Sequence, residues 1–194
     1  MPLSLIKTNS IAAGNITTAL IASGNITSAL ISSLSGLSVA NTAITGRIST
    51  AQQPIGAVLQ VVQTTLDTTY STATMGSWVS AGLTGTITPT SSTSKILATI
   101  SGGGYCDRAS TQMVLTIYRG ATNLYATGYT LCYNSGGAQE SAMTFSVLDS
   151  PATTSATTYT AYQLMTNSAG TIAFNIPSAS GIPRATMTLM EIAA

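Results

Sequence analysis

The chain has 194 residues, enough for one β domain of ordinary size plus an appended segment and too few for two full domains. Only 6% of the residues are charged while 44% are hydrophobic, which excludes intrinsic disorder and predicts a folded chain whose uncharged surface is covered by other subunits. Net charge is +1, from five acids and six cations (Lys7, Arg47, Lys95, Arg108, Arg119 and Arg184) scattered singly, so no basic stripe exists to neutralise a run of phosphates and nucleic-acid binding is excluded.

The chain opens Met1-Pro2-Leu3-Ser4-Leu5-Ile6-Lys7, which has no basic region followed by an apolar run. No stretch is apolar for long enough to span a bilayer as a helix, so neither a signal peptide nor membrane insertion is expected. Ile6, Ile11, Ile16, Ile21, Ile26 and Ile31 then fall every five residues. A ten-residue echo is superimposed, Ala13-Gly14-Asn15-Ile16-Thr17-Thr18-Ala19-Leu20 followed by Ser23-Gly24-Asn25-Ile26-Thr27-Ser28-Ala29-Leu30.

Period five matches neither the 3.6 of a helix nor the 2 of a strand, and implies short extended pieces joined by regular corners. Asn and Gly supply corner residues that tolerate left-handed backbone. The two Asn-Ile-Thr triplets are explained by these corners rather than as glycosylation acceptors. The pattern is similar to that of pentapeptide-repeat β-helices. So short a solenoid closes no core of its own, so residues 1–50 are read as an arm that assembles copies of the chain or docks on another protein, with the isoleucine row as the interface.

From Gln52-Gln53-Pro54 onward the text becomes alternating β segments broken by Gly, Pro, Ser and Thr clusters. About nine strands are predicted, at roughly 56–63, 83–88, 94–101, 111–119, 122–133, 141–148, 157–165, 171–176 and 185–192. Met143, Phe145 and Val147 alternate with Thr144 and Ser146, and Ile172, Phe174 and Ile176 repeat the theme. Arg119-Gly120-Ala121-Thr122-Asn123 reads as a short hairpin loop. With no helical period between strands, residues 55–194 are predicted to form an antiparallel β-sandwich, a jelly roll being one of the topologies the pattern allows.

Within this region Gly102-Gly103-Gly104 reads as a flexible turn, since it lacks the lysine and helix of a phosphate loop. Asp107-Arg108 beside it reads as a solvated ion pair, and Asp149 before Ser150-Pro151 as a turn residue. Cys106 and Cys132 are too few for a disulfide scaffold or a zinc site. They read as small core thiols, with a single bridge between neighbouring strands as the alternative.

The residues that carry a resemblance are Leu5-Ile6-Lys7-Thr8-Asn9-Ser10-Ile11 with the Gly-Asn-Ile-Thr repeats, the run Ile55-Gly56-Ala57-Val58-Leu59-Gln60-Val61-Val62-Gln63, and Ile87 through Lys95-Ile96-Leu97. Ile117-Tyr118-Arg119-Gly120 and Leu148-Asp149-Ser150-Pro151 add to it. Together they make the chain resemble fibre-like and other structural proteins of tailed-bacteriophage virions. The resemblance implies a homotrimer at the virion surface, assembled in the host cytoplasm, held to other virion proteins by the arm and facing outward with the β domain. Many tail fibres are far longer, so it also covers a head fibre, a tail-tip piece or a capsid decoration protein.

The chain contains no histidine, so Ser-His-Asp and Cys-His nucleophile systems have no imidazole to take the proton. Asp67, Asp107, Glu140, Asp149 and Glu191 sit in no recognisable motif, which places a glycosidase-type depolymerase behind a structural role. No enzyme activity, cofactor or metal is expected. The candidate receptor-binding residues are Tyr125, Tyr129 and Tyr133, which share one face if 122–133 is a single strand, together with Trp78. Aromatic rings of this kind stack on sugar rings and offer polar tips to a host-surface glycan or protein, and they equally well pack into cores and subunit interfaces.

Overall fold

The structure, a computed structural model, describes residues 53–133, 135–167, 170–176 and 184–194. The arm and its row Ile6, Ile11, Ile16, Ile21, Ile26 and Ile31 lie outside the described residues. The described chain is all-β, as the alternation predicts. Its strands are β1 (Val58–Leu66), β2 (Tyr70–Thr72), β3 (Val79–Ile87), β4 (Lys95–Cys106), β5 (Gln112–Arg119), β6 (Thr122–Asn123), β7 (Tyr129–Tyr133), β8 (Gln139–Asp149), β9 (Thr157–Thr166), β10 (Ile172–Phe174) and β11 (Ala185–Ile192).

Two antiparallel sheets face each other. The first runs β1-β11-β4-β8, with β10 and β2 continuing it beside the distal half of β4; the second runs β3-β9-β5, with β7 and β6 sharing the far edge of β5. Every connection between the eight principal strands crosses from sheet to sheet, save the one from β5 to β7. Numbered in chain order, those strands stand 1-8-3-6 in one sheet and 2-7-4-5 in the other. That order is two interleaved Greek keys, and the sandwich is therefore a jelly roll.

Alternation sets the core. Met187 and Leu189 of β11, Ile96, Ala98 and Ile100 of β4, Leu83 of β3, Met113, Leu115 and Ile117 of β5 and Tyr159, Ala161 and Met165 of β9 are all buried between the sheets. Their strand neighbours turn outward, so the period of two converts directly into an inside and an outside.

Three readings of the sequence are corrected here. Gly102-Gly103-Gly104 is not a turn but the middle of β4, with Gly102 and Gly104 facing inward beneath side chains from other strands. A Cβ on Gly104 would stand 2.3 Å from Leu131 Cδ2 and one on Gly102 would stand 3.0 Å from the Phe174 ring. The strand stays and the side chains are omitted, because Leu131 and Phe174 already fill that volume.

Cys106 and Cys132 are not free thiols. They are joined as a disulfide between β4 of one sheet and β7 of the other, closing a second link between sheets beside the packed core. Finally, Asp149 ends β8 as a buried residue and accepts bonds across the core, so its carboxylate does not serve the turn that follows.

Candidate functional site

The stretch 122–133 is two strands, not one. After Asn123 the chain leaves the sheet, Gly128 N–H donates to Tyr125 O at 2.8 Å, and Gly128 takes φ +64°. Its backbone lies so close to β5 that a Cβ there would stand 2.3 Å from Val114 Cγ1 and 2.7 Å from the Trp78 ring. Glycine satisfies both the left-handed turn and the close approach. In β7 Met113 pairs with Cys132 and Val114 with Thr130, which leaves Leu131 as the extra residue of a bulge.

The break and the bulge distribute the predicted aromatics. Tyr129, opposite the inward Leu115, points between the sheets, whereas Tyr133, opposite Gln112, points out and is half exposed. Tyr125 stacks on Tyr129 at a centroid distance of 4.6 Å and 20°, and Tyr129 in turn meets buried Phe145 at 4.7 Å. Tyr129 therefore has neighbours on both sides and serves as the middle of a ladder rooted in the core. Tyr133 does not join it.

Trp78 belongs to another group. It meets Tyr118 edge-on at 6.4 Å, and Tyr118 lies 4.2 Å from Tyr162 with the rings tilted by 37°. All three are on the outward side of the second sheet and partly exposed. Tyr118 and Tyr162 escaped the sequence reading, although a signal was present. In Tyr159-Thr160-Ala161-Tyr162 the two tyrosines have opposite parity, so one of them must face out of any strand that buries the other.

Hydroxyls flank this island. On one side Thr84 Oγ1 and Thr160 Oγ1 are 3.2 Å apart and Thr86 Oγ1 and Thr158 Oγ1 2.9 Å apart. On the other, Gln112 donates to Thr130 Oγ1 at 2.8 Å and accepts from Thr166 Oγ1 at 2.7 Å. Beneath it, Thr116 Oγ1 is within 2.8 Å of Asn123 Oδ1 and 2.9 Å of Tyr125 O. Among the described residues no charged side chain projects from the strands of this outer face, since Arg119, the one cation on them, points inward.

The outer face of the first sheet is built differently. Register places Val61, Met190, Leu97 and Leu148 in one row across four strands, followed by Gln63, Thr188, Thr99 and Ser146, then Thr65, Thr186, Ser101 and Thr144. Val61 and Leu148, at the ends of the apolar row, are 55% and 54% exposed. Lys95 and Glu140 lie at opposite ends of this face, and an exposed ion pair between Arg184 Nε and Asp67 Oδ1 at 3.2 Å continues its rows beyond Thr65 and Thr186.

The two buried acids are taken up by structure. Arg119 Nη1 donates to both oxygens of Asp149 at 2.7 Å, and Tyr159 donates to Asp149 Oδ2 at 2.7 Å, so this cluster ties β8 of one sheet to β5 and β9 of the other. Burial, then the hydrogen bond and charge of Asp149, push the Tyr159 phenol far above its ordinary value, and the charge of Arg119 offsets this only in part.

Glu191 is fully buried and accepts from Gln60 at 2.6 Å and from both the amide and the hydroxyl of Thr90 at 2.7 Å. Burial opposes its ionisation, but the bonds from Gln60 and Thr90 outweigh it and hold the carboxyl below its ordinary value. Asp107 pairs with the exposed Arg108 at 3.8 Å, but its own side chain is only 25% exposed and accepts from Thr171 N at 2.7 Å, so of the solvated pair read from the sequence only the arginine faces water. Among the described residues no three potential metal ligands cluster.

No known protein family and no curated protein matches the chain. Among solved structures it is similar to the VP2 protein of infectious bursal disease virus. The Gx strain matches at 13% identity and a TM-score of 0.37, over 71% of this chain and 37% of that one. The VP2 subviral particle matches at 14% identity and a TM-score of 0.36, over 71% of this chain and 39% of the other. The chain thus spans less than two-fifths of the length of these structures.

Proposed function

We propose that the chain is a structural protein of a bacteriophage virion, a homotrimer held by its N-terminal arm that presents the jelly roll outward for attachment to the host surface. The observation that carries this reading is a jelly roll whose strands put no charge on one outer face and only a few charges at the ends of the other, preceded by a segment with isoleucine at every fifth position. Jelly rolls build capsid and lectin domains. Uncharged faces favour protein contacts over free solution, and an apolar period without a core of its own calls for partner chains.

The disulfide supports work outside a reducing compartment, in keeping with exposure of the protein once the particle is released. The buried acids hold the fold together, which supports a structural rather than a catalytic role. Attachment would use many weak contacts multiplied by copy number.

A second reading, a capsid decoration or head-fibre protein, is favoured by one feature. The apolar row Val61–Met190–Leu97–Leu148 on a broad sheet face suits contact with a protein shell.

Light scattering on the full-length protein and on a version lacking residues 1–50 tests the first reading. A full-length trimer that dissociates on truncation supports it, and a full-length monomer removes it. Gold-labelled antibody on intact particles separates the two: a few copies at tail or vertex for a fibre, many on the head for decoration.

A further inference from the structure

The two aromatic groups differ in what they leave open. Tyr129 is flanked by Tyr125 on one side and Phe145 on the other, so the ladder's middle ring has no face for a ligand, and Tyr133 stands apart from it. Trp78, Tyr118 and Tyr162 form a second cluster on the outer surface of the second sheet, each partly exposed, in which Tyr118 lies between the edge-on Trp78 and the tilted Tyr162 ring, so Trp78 and Tyr162 are its outer members. The loop carrying Gly128 packs against Trp78 and Val114 and fixes the indole in place.

We propose that this face binds a neutral glycan chain, with Trp78 and Tyr162, the outer members of the cluster, as the rings on which sugars stack, Tyr118 as the ring that holds them, and the threonines beside them as hydroxyl partners. The inference rests on the attachment reading above and names its ligand and its site. A sugar ring presents C–H groups on its faces and hydroxyls around its rim, so a matching surface needs aromatic faces with hydrogen-bonding groups alongside. Thr84, Thr86, Thr158 and Thr160 supply hydroxyls on one flank and Gln112 and Thr130 on the other.

Charge selects among glycans. Uronate, sialate or sulfate groups call for a cation, and among the described residues the strands of this face present none. An unlinked neutral chain would also leave no buried charge unpaired when it docks. The same rings on a face crowded with lysine or arginine would point to an acidic polymer instead.

The test uses the full chain and its one tryptophan, so that emission reports on Trp78 alone. Hexasaccharides of glucose, mannose, galactose and N-acetylglucosamine are titrated in turn, with hexagalacturonate as the charged comparison. The expected result is a saturable change in emission, with protection from acrylamide quenching, for at least one neutral hexamer and none for the galacturonate. Tyr162→Ala should weaken that binding about tenfold, and Thr160→Val, which keeps the volume and removes the hydroxyl, should weaken it severalfold. Tyr133→Ala should leave it unchanged.

Silence across the neutral panel, or binding of the galacturonate alone, overturns the inference. So does binding that survives Tyr162→Ala and Thr160→Val but is lost in Tyr133→Ala. If Tyr162→Ala lowers the mass seen by light scattering, the face is an interface between copies and the inference fails. The urea midpoint of each variant shows whether it folds, and Thr160→Val decides if Tyr162→Ala does not. The mass of the native protein is measured alongside: a trimer that binds no sugar refutes the glycan site and leaves the virion reading standing, whereas a monomer refutes the trimeric attachment reading by itself.

Discussion

Replacing Asp149 by alanine tests whether the buried ion cluster holds the two sheets together. Asp149 is 8% exposed and accepts three bonds of 2.7 Å, two from Arg119 and one from Tyr159. The substitution leaves the Tyr159 hydroxyl buried without an acceptor, which costs about 1–3 kcal/mol. It also leaves a guanidinium without its partner. Breaking a fully buried pair costs about 3–5 kcal/mol, but the Arg119 side chain is 29% exposed and can turn toward water, so the expected loss is about 3 kcal/mol.

With a urea slope of about 1–3 kcal/mol per molar, that loss lowers the unfolding midpoint by roughly 1–3 M. Tyr159→Phe removes the donor and leaves the ion pair intact, so it should cost about 1 kcal/mol. Asp149→Ala made on the Tyr159→Phe background should then cost about 1 kcal/mol less than on the native one. The assay is equilibrium urea unfolding followed by circular dichroism for the four proteins of the cycle. An Asp149→Ala stability within about 0.5 kcal/mol of the native protein, or a cycle with no coupling, refutes the reasoning.

The folded-state pKa of Glu191 lies below its unfolded value. Its contribution to stability is therefore complete above the ordinary carboxylate range and is lost as pH falls through the folded pKa; urea midpoints measured from pH 7 down to pH 3 should fall more steeply for the native protein than for Glu191→Gln. Reducing the Cys106–Cys132 bridge, which closes a loop of 26 residues' separation, should lower stability by about 3 kcal/mol, read as the midpoint of Cys106→Ser/Cys132→Ser against native. Gly104→Ala should destabilise by about 1–3 kcal/mol, because its methyl group meets Leu131 and Met113; a gain in stability, the ordinary effect of alanine in a strand, would show that Leu131 moves aside freely.

Much of the jelly roll was legible because a two-sided sheet writes its burial into the sequence at period two. In β11, Ala185, Met187, Leu189 and Glu191 are buried and the residues between them are not, and the same beat marks β9 and the inner face of β4. The hairpin at Arg119-Gly120-Ala121-Thr122 was legible for a local reason as well, since Gly120 takes φ +55° where the loop requires it. β2 was not, because three residues on a sheet edge carry too little alternation to separate them from a loop. Trp78 stands out in the sequence as the one tryptophan, but its partners Tyr118 and Tyr162 sit on strands far from it in the chain.

The amino-acid sequence by itself determined the class of fold, the near absence of charge and which residues of each long strand face the core, since these depend on composition and on neighbours one or two positions away. The tertiary structure alone decided the strand order, the inter-sheet disulfide, the ion cluster of Asp149 and the aromatic surface around Tyr118. It also turned three glycines from an apparent turn into the centre of a strand. Each of these depends on which distant side chains arrive in the same volume: a glycine run bends freely in isolation, and it stays straight here because Leu131 and Phe174, from other strands, occupy the space its side chains would need.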